Sequence, residues 1–450
     1  MFPQFGLITQ DLNVLTIGVF LTVIFLIVLL VIATEKIDKV SITLTGVVIS
    51  LFIALTFGLI KNLNILYLWI DLELLLTIIG ITLIMEMLKK SGILEVFILY
   101  ILSSIKGSFD ILMVILASSV FFMSMIMTNV LALIIIAQIT ILIAEVAEIN
   151  PKPMLFLELV ISNLAGMLTP IASYTAAYVS LEQGWTYLEF LLISLPYVSI
   201  MVTITIIFTR YIMFRDVMLN MKEKERSFGF QLRRILQIID PWVFVDSKRD
   251  FYKAIVIFSV VTVFFAVGTT IGFSVDIICL LGGMIVLIMF SENVEEFIRS
   301  IDFPMLFFLC GIFIMSGLIQ ETNLPLLLND PITQIVGQSP ILGITVFSWI
   351  LGALTSIIEN IPLIFLLRPL IDLISSQTNA ITVWWAILAV VNITDSAILI
   401  SSVKGIYIME MSKREGMPIG FMEYFRYGVS VTIIHLVGMV VYIFILLGFN

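Results

Sequence analysis

The chain has 450 residues, 61% of them apolar and only 12% charged, against about 45–50% and about 25% in an ordinary soluble domain. Water is therefore not its main solvent, and a net charge of −9 argues against nucleic acid as a partner. Cys279 and Cys310 stand alone in apolar stretches, without metal-ligand spacing or a disulfide framework. There is no His-Glu-x-x-His and no Gly-x-Ser-x-Gly, so no metal, no cofactor and no enzymatic activity are expected.

Apolar stretches near the bilayer-crossing length of about 20 residues recur along the chain, as at Val14 to Ala33, Val40 to Ile60 and Phe251 to Ile271. A backbone in hydrocarbon must pair its own polar groups, so these are helices of an all-α polytopic membrane protein. Met1 to Val14 carries no Lys or Arg, and no small-residue cleavage signal follows the first apolar run; it reads as a retained first helix. With the N-terminus outside, 20 of the 23 Lys and Arg fall on the inner side, as cytoplasmic loops require. Lys61 alone lies outside, and Arg368 and Lys404 fall within membrane segments.

That count holds only if two apolar stretches enter and leave on the same side, 110–146 from inside and 341–374 from outside. The first breaks at Thr128-Asn129 and the second at Glu359-Asn360 before Pro362; a re-entrant hairpin is tolerated where its tip lines a cavity. The expectation is about ten crossings plus two hairpins, in the plasma membrane. Ile70-Asp71 and Ile301-Asp302 each open an apolar helix, and Asn129 and Asn360 each follow 58 residues after the Asp. Such matched units, begun on opposite sides, are two inverted repeats, the build of alternating-access transporters. The chain divides into a first helix and inner loop (1–39), a first repeat (40–213), a cytoplasmic linker (214–250) carrying the charged run Lys222 to Arg226, and a second repeat with its leading helix (251–450). The linker suits an amphipathic surface helix against membrane lipid.

Polar groups at membrane depth collect at four places. Two are the hairpin tips, Thr128 with Asn129 and Glu359 with Asn360. The third holds Ser162, Asn163, Gly166, Thr169, Pro170 and Ser173, where Gly and Pro allow a transmembrane helix to unwind. The fourth runs from Asn392 through Thr394, Asp395, Ser396, Ser401, Ser402 and Lys404 to Gly405. An Asn beside unpaired backbone carbonyls suits a small cation, whereas bare helix N-termini suit an anion. Ionisable groups at the bilayer centre cost about 2.5–3.5 kcal/mol each. Glu359, Asp395 and Lys404 are thus the mechanistic candidates, a purely structural Asp395–Lys404 salt bridge being the alternative. His435 reads as a packed core histidine, Arg368 as snorkelling or capping the second hairpin, and Trp384-Trp385 as part of an interfacial aromatic belt.

At these clusters the sequence resembles the ion transporter superfamily, closest to its arsenite permease, NhaD-type sodium/proton antiporter and P-protein branch. Asn150-Pro-Lys-Pro153 with Glu158 and Ser162-Asn163, Ser356-Ile-Ile-Glu-Asn-Ile-Pro362, and Gly420 to Gly428 carry the likeness. The tips also look like the Ser-Asn-Thr motifs of divalent-anion/sodium symporters. The resemblance implies that hairpin tips and unwound helices enclose a small inorganic or organic ion, with a coupled proton or sodium ion, in a homodimer. The chain departs from the family where Ala165 to Ala172 and Asp395 to Ser401 replace glycine-rich patterns, and where Thr128 replaces an Asp. A secondary transporter of a small ion, preferably an anion, is the expected function. Lys404 would be a fixed cation where relatives bind sodium, and Glu359 the titrating group. Arsenite or metalloid efflux, sodium/proton antiport, and a non-transporting sensor or scaffold stay open.

Overall fold

The computed structural model describes residues 4–34, 36–103, 109–147, 149–213, 241–324, 327, 329–399, 402–414 and 416–448. Among them every regular element is helical: α1 (Gln4–Ala33), α2 (Lys39–Thr56), α3 (Leu66–Trp69), α4 (Leu72–Lys90), α5 (Ile93–Ser103), α6 (Phe109–Ile126), α7 (Asn129–Ala147), α8 (Lys152–Ala165), α9 (Tyr174–Gln183), α10 (Tyr187–Ile212), α11 (Lys248–Gly268), α12 (Val275–Met289), α13 (Val294–Arg299), α14 (Phe303–Glu321), α15 (Asn329–Gln338), α16 (Pro340–Thr355), α17 (Asn360–Gln377), α18 (Ala380–Thr394), α19 (Val403–Arg414) and α20 (Phe421–Gly448). The part of the expected linker before residue 241 lies outside the described residues, as does Ser401.

The helix starts are written in the sequence. Asp71 accepts a hydrogen bond from the Leu74 N–H at 2.9 Å ahead of α4, and Asp302 accepts one from the Met305 N–H at 2.9 Å ahead of α14. Each satisfies a donor the helix itself leaves unpaired. The two Asp that begin the matched units are therefore helix caps of the same kind, on helices of 19 residues each. Losing such a cap costs about 1 kcal/mol, so Asp302→Ala is expected to lower the melting temperature of the purified protein slightly and Asp302→Asn to leave it unchanged.

Six helices among the described residues are long and apolar enough to cross a membrane, or seven if α3 and α4 with their 58° bend form one span. Their outer faces carry bare apolar side chains such as Phe52, Ile207, Val263 and Phe444, a surface that lipid accepts and water does not. The chain is an integral membrane protein with several spans. The expected hairpin stretches each consist of two helices broken at the expected tip, α6 and α7 around Met127-Thr128, and α16 and α17 around residues 356–359.

The chain forms two compact units. Residues 1–75, 302–387 and 443–450 make one; residues 76–301 and 388–442 make the other. In the first, α2 lies along α14, and α14 also packs on α1 and α17. A Cβ on Gly46 would fall 2.6 Å from Val28 Cγ2 and one on Gly311 2.6 Å from Thr43 Cγ2, so these glycines set how closely the helices approach. Trp384 and Trp385 are buried in this unit. That corrects their reading as an aromatic belt: α18 is buried from Thr382 to Thr394, both indoles included. In the second unit α6, α7 and α8 pack pairwise, α10 and α19 lie against α8, and Met113, Leu116, Val120, Leu157 and Ile161 belong to the core between them.

Candidate functional site

The polar cluster of the second unit is built where three chain breaks meet. Helix α8 begins behind Pro151 and ends at Gly166, and the chain from there to Ser173 is irregular before α9 resumes. Pro170 lacks an N–H and could not continue a helix. Neighbours take up the freed backbone groups: the Asn129 N–H donates to the Ala172 carbonyl at 2.9 Å, and the Thr169 hydroxyl donates to the Met125 carbonyl at 2.9 Å. Those two bonds stitch the α6–α7 tip to the α8–α9 break. Ser173 donates to the Gly166 carbonyl at 3.1 Å and accepts from the Ala176 N–H.

The α18–α19 break has no Pro and no Gly between Asp395 and Ser402. Helix α20 holds it instead, the Tyr424 hydroxyl donating to the Ser396 carbonyl at 2.8 Å. Gly166 is the point of convergence. A Cβ there would lie 2.6 Å from Asn129 Nδ2, 3.0 Å from Asn392 Oδ1 and 3.1 Å from the Asn163 carbonyl.

Asn163, fully buried on α8, donates from Nδ2 to Ser396 Oγ at 2.8 Å and accepts from Lys404 Nζ at Oδ1. Lys404 is itself buried, and Asp395 Oδ2 stands 4.0 Å from its Nζ. An ammonium has three donors. Asn163 takes one, while Asp395 balances the charge from beyond hydrogen-bond reach. Ser402 caps α19, accepting from the Gly405 N–H at 3.1 Å, so Lys404 rises from the first turn of a helix whose N-terminus adds partial positive charge.

The second unit thus gathers Asn129, Asn163, Asp395, Ser396 and Lys404 with Thr169, Ser173 and Ser402. Ser162 turns its hydroxyl to the Leu159 carbonyl of its own helix, and Thr128 ends the break ahead of α7 with its side chain partly exposed. Glu359 and Asn360 belong to the other unit. Glu359 precedes α17 without capping it, and its Oε1 lies 3.6 Å from Lys39 Nζ. Lys39 also sits 5.0 Å from the centroid of the Phe308 ring. Sequence reasoning counted Lys39 as a loop charge; no local signal in its own segment pairs it with a residue so far along the chain. Two further residues shape the breaks: Gly166, legible as a helix breaker, and Tyr424, which lies in the Gly420 to Gly428 segment and was not singled out as a site residue. His435 accords with a packing role, its Nε2 lying 2.8 Å from Thr205 Oγ1.

Residues 27–394 match a family model described as a citrate transporter, CitMHS. The chain belongs to the citrate transporter family. That family lies within the ion transporter superfamily that the Ser356 to Pro362 and Gly420 to Gly428 segments resemble. Among relatives of the citrate transporter family chain, a 46 kDa membrane protein of Mycobacterium leprae is 23% identical over 420 residues, 91% of this chain and 94% of that protein. An uncharacterized transporter of Mycobacterium tuberculosis is 22% identical over 429 residues, 94% of this chain and 97% of its own. A Dictyostelium discoideum transporter named arsB is 28% identical over 217 residues, 47% of this chain and 37% of its own. As a citrate transporter family member, the chain is a membrane transporter and not an enzyme.

Proposed function

We propose that the protein is a secondary active transporter of a small carboxylate anion, citrate first among them, and that it works by alternating access. The observation that carries this reading is Lys404: a buried ammonium at the start of a helix, next to an Asn and a Ser, where three chain breaks converge. A carboxylate ligand would meet a fixed cation, amide and hydroxyl donors and a helix N-terminus. Asp395 offsets the ammonium when no ligand is present and is far enough away to yield it. Because the cation is tethered, no sodium ion is needed at this point. Asn129, Thr169 and Ser173 shape the same junction, and Glu359 at the second tip, paired with Lys39, serves the transport cycle with its neighbour Asn360.

Two inverted repeats with re-entrant hairpins, in about ten crossings, are the architecture proposed for this cycle. Support comes from Asp71 and Asp302 as equivalent caps, and from Asn129 and Asn360 as the first residues of the helices that follow the two tips.

The test is thermal stabilisation of purified protein by citrate, succinate, sulfate, phosphate, arsenite and sodium chloride. Citrate without sodium is expected to raise the melting temperature. Occupancy at one hundred times the dissociation constant would contribute about 2.7 kcal/mol. Stabilisation by sodium alone would favour an antiporter and remove the assigned role from Lys404.

A further inference from the structure

Glu158 has no part in the junction around Gly166, yet it is the most completely enclosed carboxyl group described in its unit, 1% exposed on α8. Its Oε1 accepts the hydroxyl hydrogen of Thr140 on α7. Its Oε2 is buried with no hydrogen-bond partner. The charged groups carried by α8 and the helices packed on it are engaged elsewhere or face outward. Asp110 on α6 pairs with Arg210 on α10 and Glu189 on α10 with Thr186; Lys404 on α19 pairs with Asn163, Glu410 with Arg414 and Lys152 with Glu423. Glu145 and Lys413 are exposed. Of the tyrosines on these helices, Tyr197 donates to the His435 carbonyl and Tyr407 accepts from Gln138, Tyr211 is exposed, and Tyr187 packs on Phe265.

A carboxylate enclosed this way would be an uncompensated buried charge, which a protein interior strongly disfavours. A carboxylic acid would be tolerated, and its hydroxyl would occupy Oε2. Position adds a purpose. Glu158 lies one helical turn ahead of Ser162 and on the approach to Asn163, and Thr140 follows Asn129 by eleven residues, about three turns along one face of α7. The acid thus sits between the start of α8 and the junction, on the helices that form it. By contrast Glu359 is about one-third exposed and has Lys39 as a cation partner.

We propose that Glu158 is the proton-carrying group of the transport cycle, binding one proton at Oε2 from one side of the membrane and releasing it to the other. The inference rests on the transport reading above, and its test separates the two. Infrared difference spectra of the wild-type protein in lipid, recorded on acidification, are expected to show the carbonyl stretch of a buried carboxylic acid. Glu158→Gln should remove that band, and Thr140→Val should shift it. In liposomes holding a pH-sensitive dye, citrate influx through the wild type should bring protons in. Through Glu158→Gln citrate should enter without them. A band that persists in Glu158→Gln, or unchanged proton uptake with citrate in that variant, would overturn the proposal. If the Gln variant does not fold, an unshifted band in Thr140→Val overturns it equally. Should the wild type move no citrate, the anion reading fails while the infrared band still decides the proton site.

Discussion

Replacing Lys404 by Met abolishes citrate-dependent stabilisation and citrate transport, and also lowers the melting temperature in the absence of ligand. Two effects combine here. The variant removes the cation that receives the anion, and it takes from the largely enclosed Asp395 carboxylate the ammonium that stands 4.0 Å away. Stranding one member of a buried pair costs about 3–5 kcal/mol, whereas replacing both by uncharged groups is close to neutral. The double variant Lys404→Met with Asp395→Asn therefore recovers most of the lost stability and none of the citrate response. A merely structural salt bridge gives the opposite result: the double variant would regain both. Lys404→Arg is expected to keep the charge but misplace it, because a planar guanidinium cannot replace a point charge seated on Asn163 Oδ1.

Gly166→Val is the second substitution with a large expected effect. The new Cβ would lie within 2.6 Å of Asn129 Nδ2 and 3.0 Å of Asn392 Oδ1, so the α7 start or the α18 end must move. Overpacking of this kind costs about 1–3 kcal/mol, and the displaced amides are those that define the junction. Folding is expected to weaken and transport to be lost. The control is Gly337→Ala, on a helix where an added Cβ meets nothing within 4 Å. There the gain in helix propensity, up to about 1 kcal/mol, leaves both stability and transport intact. Uptake of radiolabelled citrate by cells expressing each variant, corrected for protein amount, reads the contrast.

Much of the scaffold was legible because polar residues are costly in an apolar run. Thr128-Asn129, Gly166 with Pro170, Glu359 and Asp395 each announced a break, and each lies at one in the structure. Asp71 and Asp302 announced helix starts through their side-chain chemistry. What a linear pattern does not carry is the partner. Nothing in the segment around Lys39 indicates Glu359, and nothing in the Asn150 to Asn163 segment says that Thr140 faces Glu158, because those pairings depend on how helices rotate and pack. The same limit misplaced Trp384-Trp385: an indole at a helix start suits an interface by type, and only packing reveals that α18 is enclosed. Gly166 was legible as a breaker, while its place at the meeting of Asn129 and Asn392 required the fold.

In the proposed cycle a tethered ammonium at the junction of the breaks receives a carboxylate anion. Equilibrium binding of radiolabelled citrate to purified protein, in buffer free of sodium, tests it most directly with the wild type beside the Lys404→Met, Asp395→Asn double variant. Saturable binding to the wild type and none to a folded double variant is the expected result. Equal binding to both, or binding to the wild type that appears only when sodium is added, would contradict it.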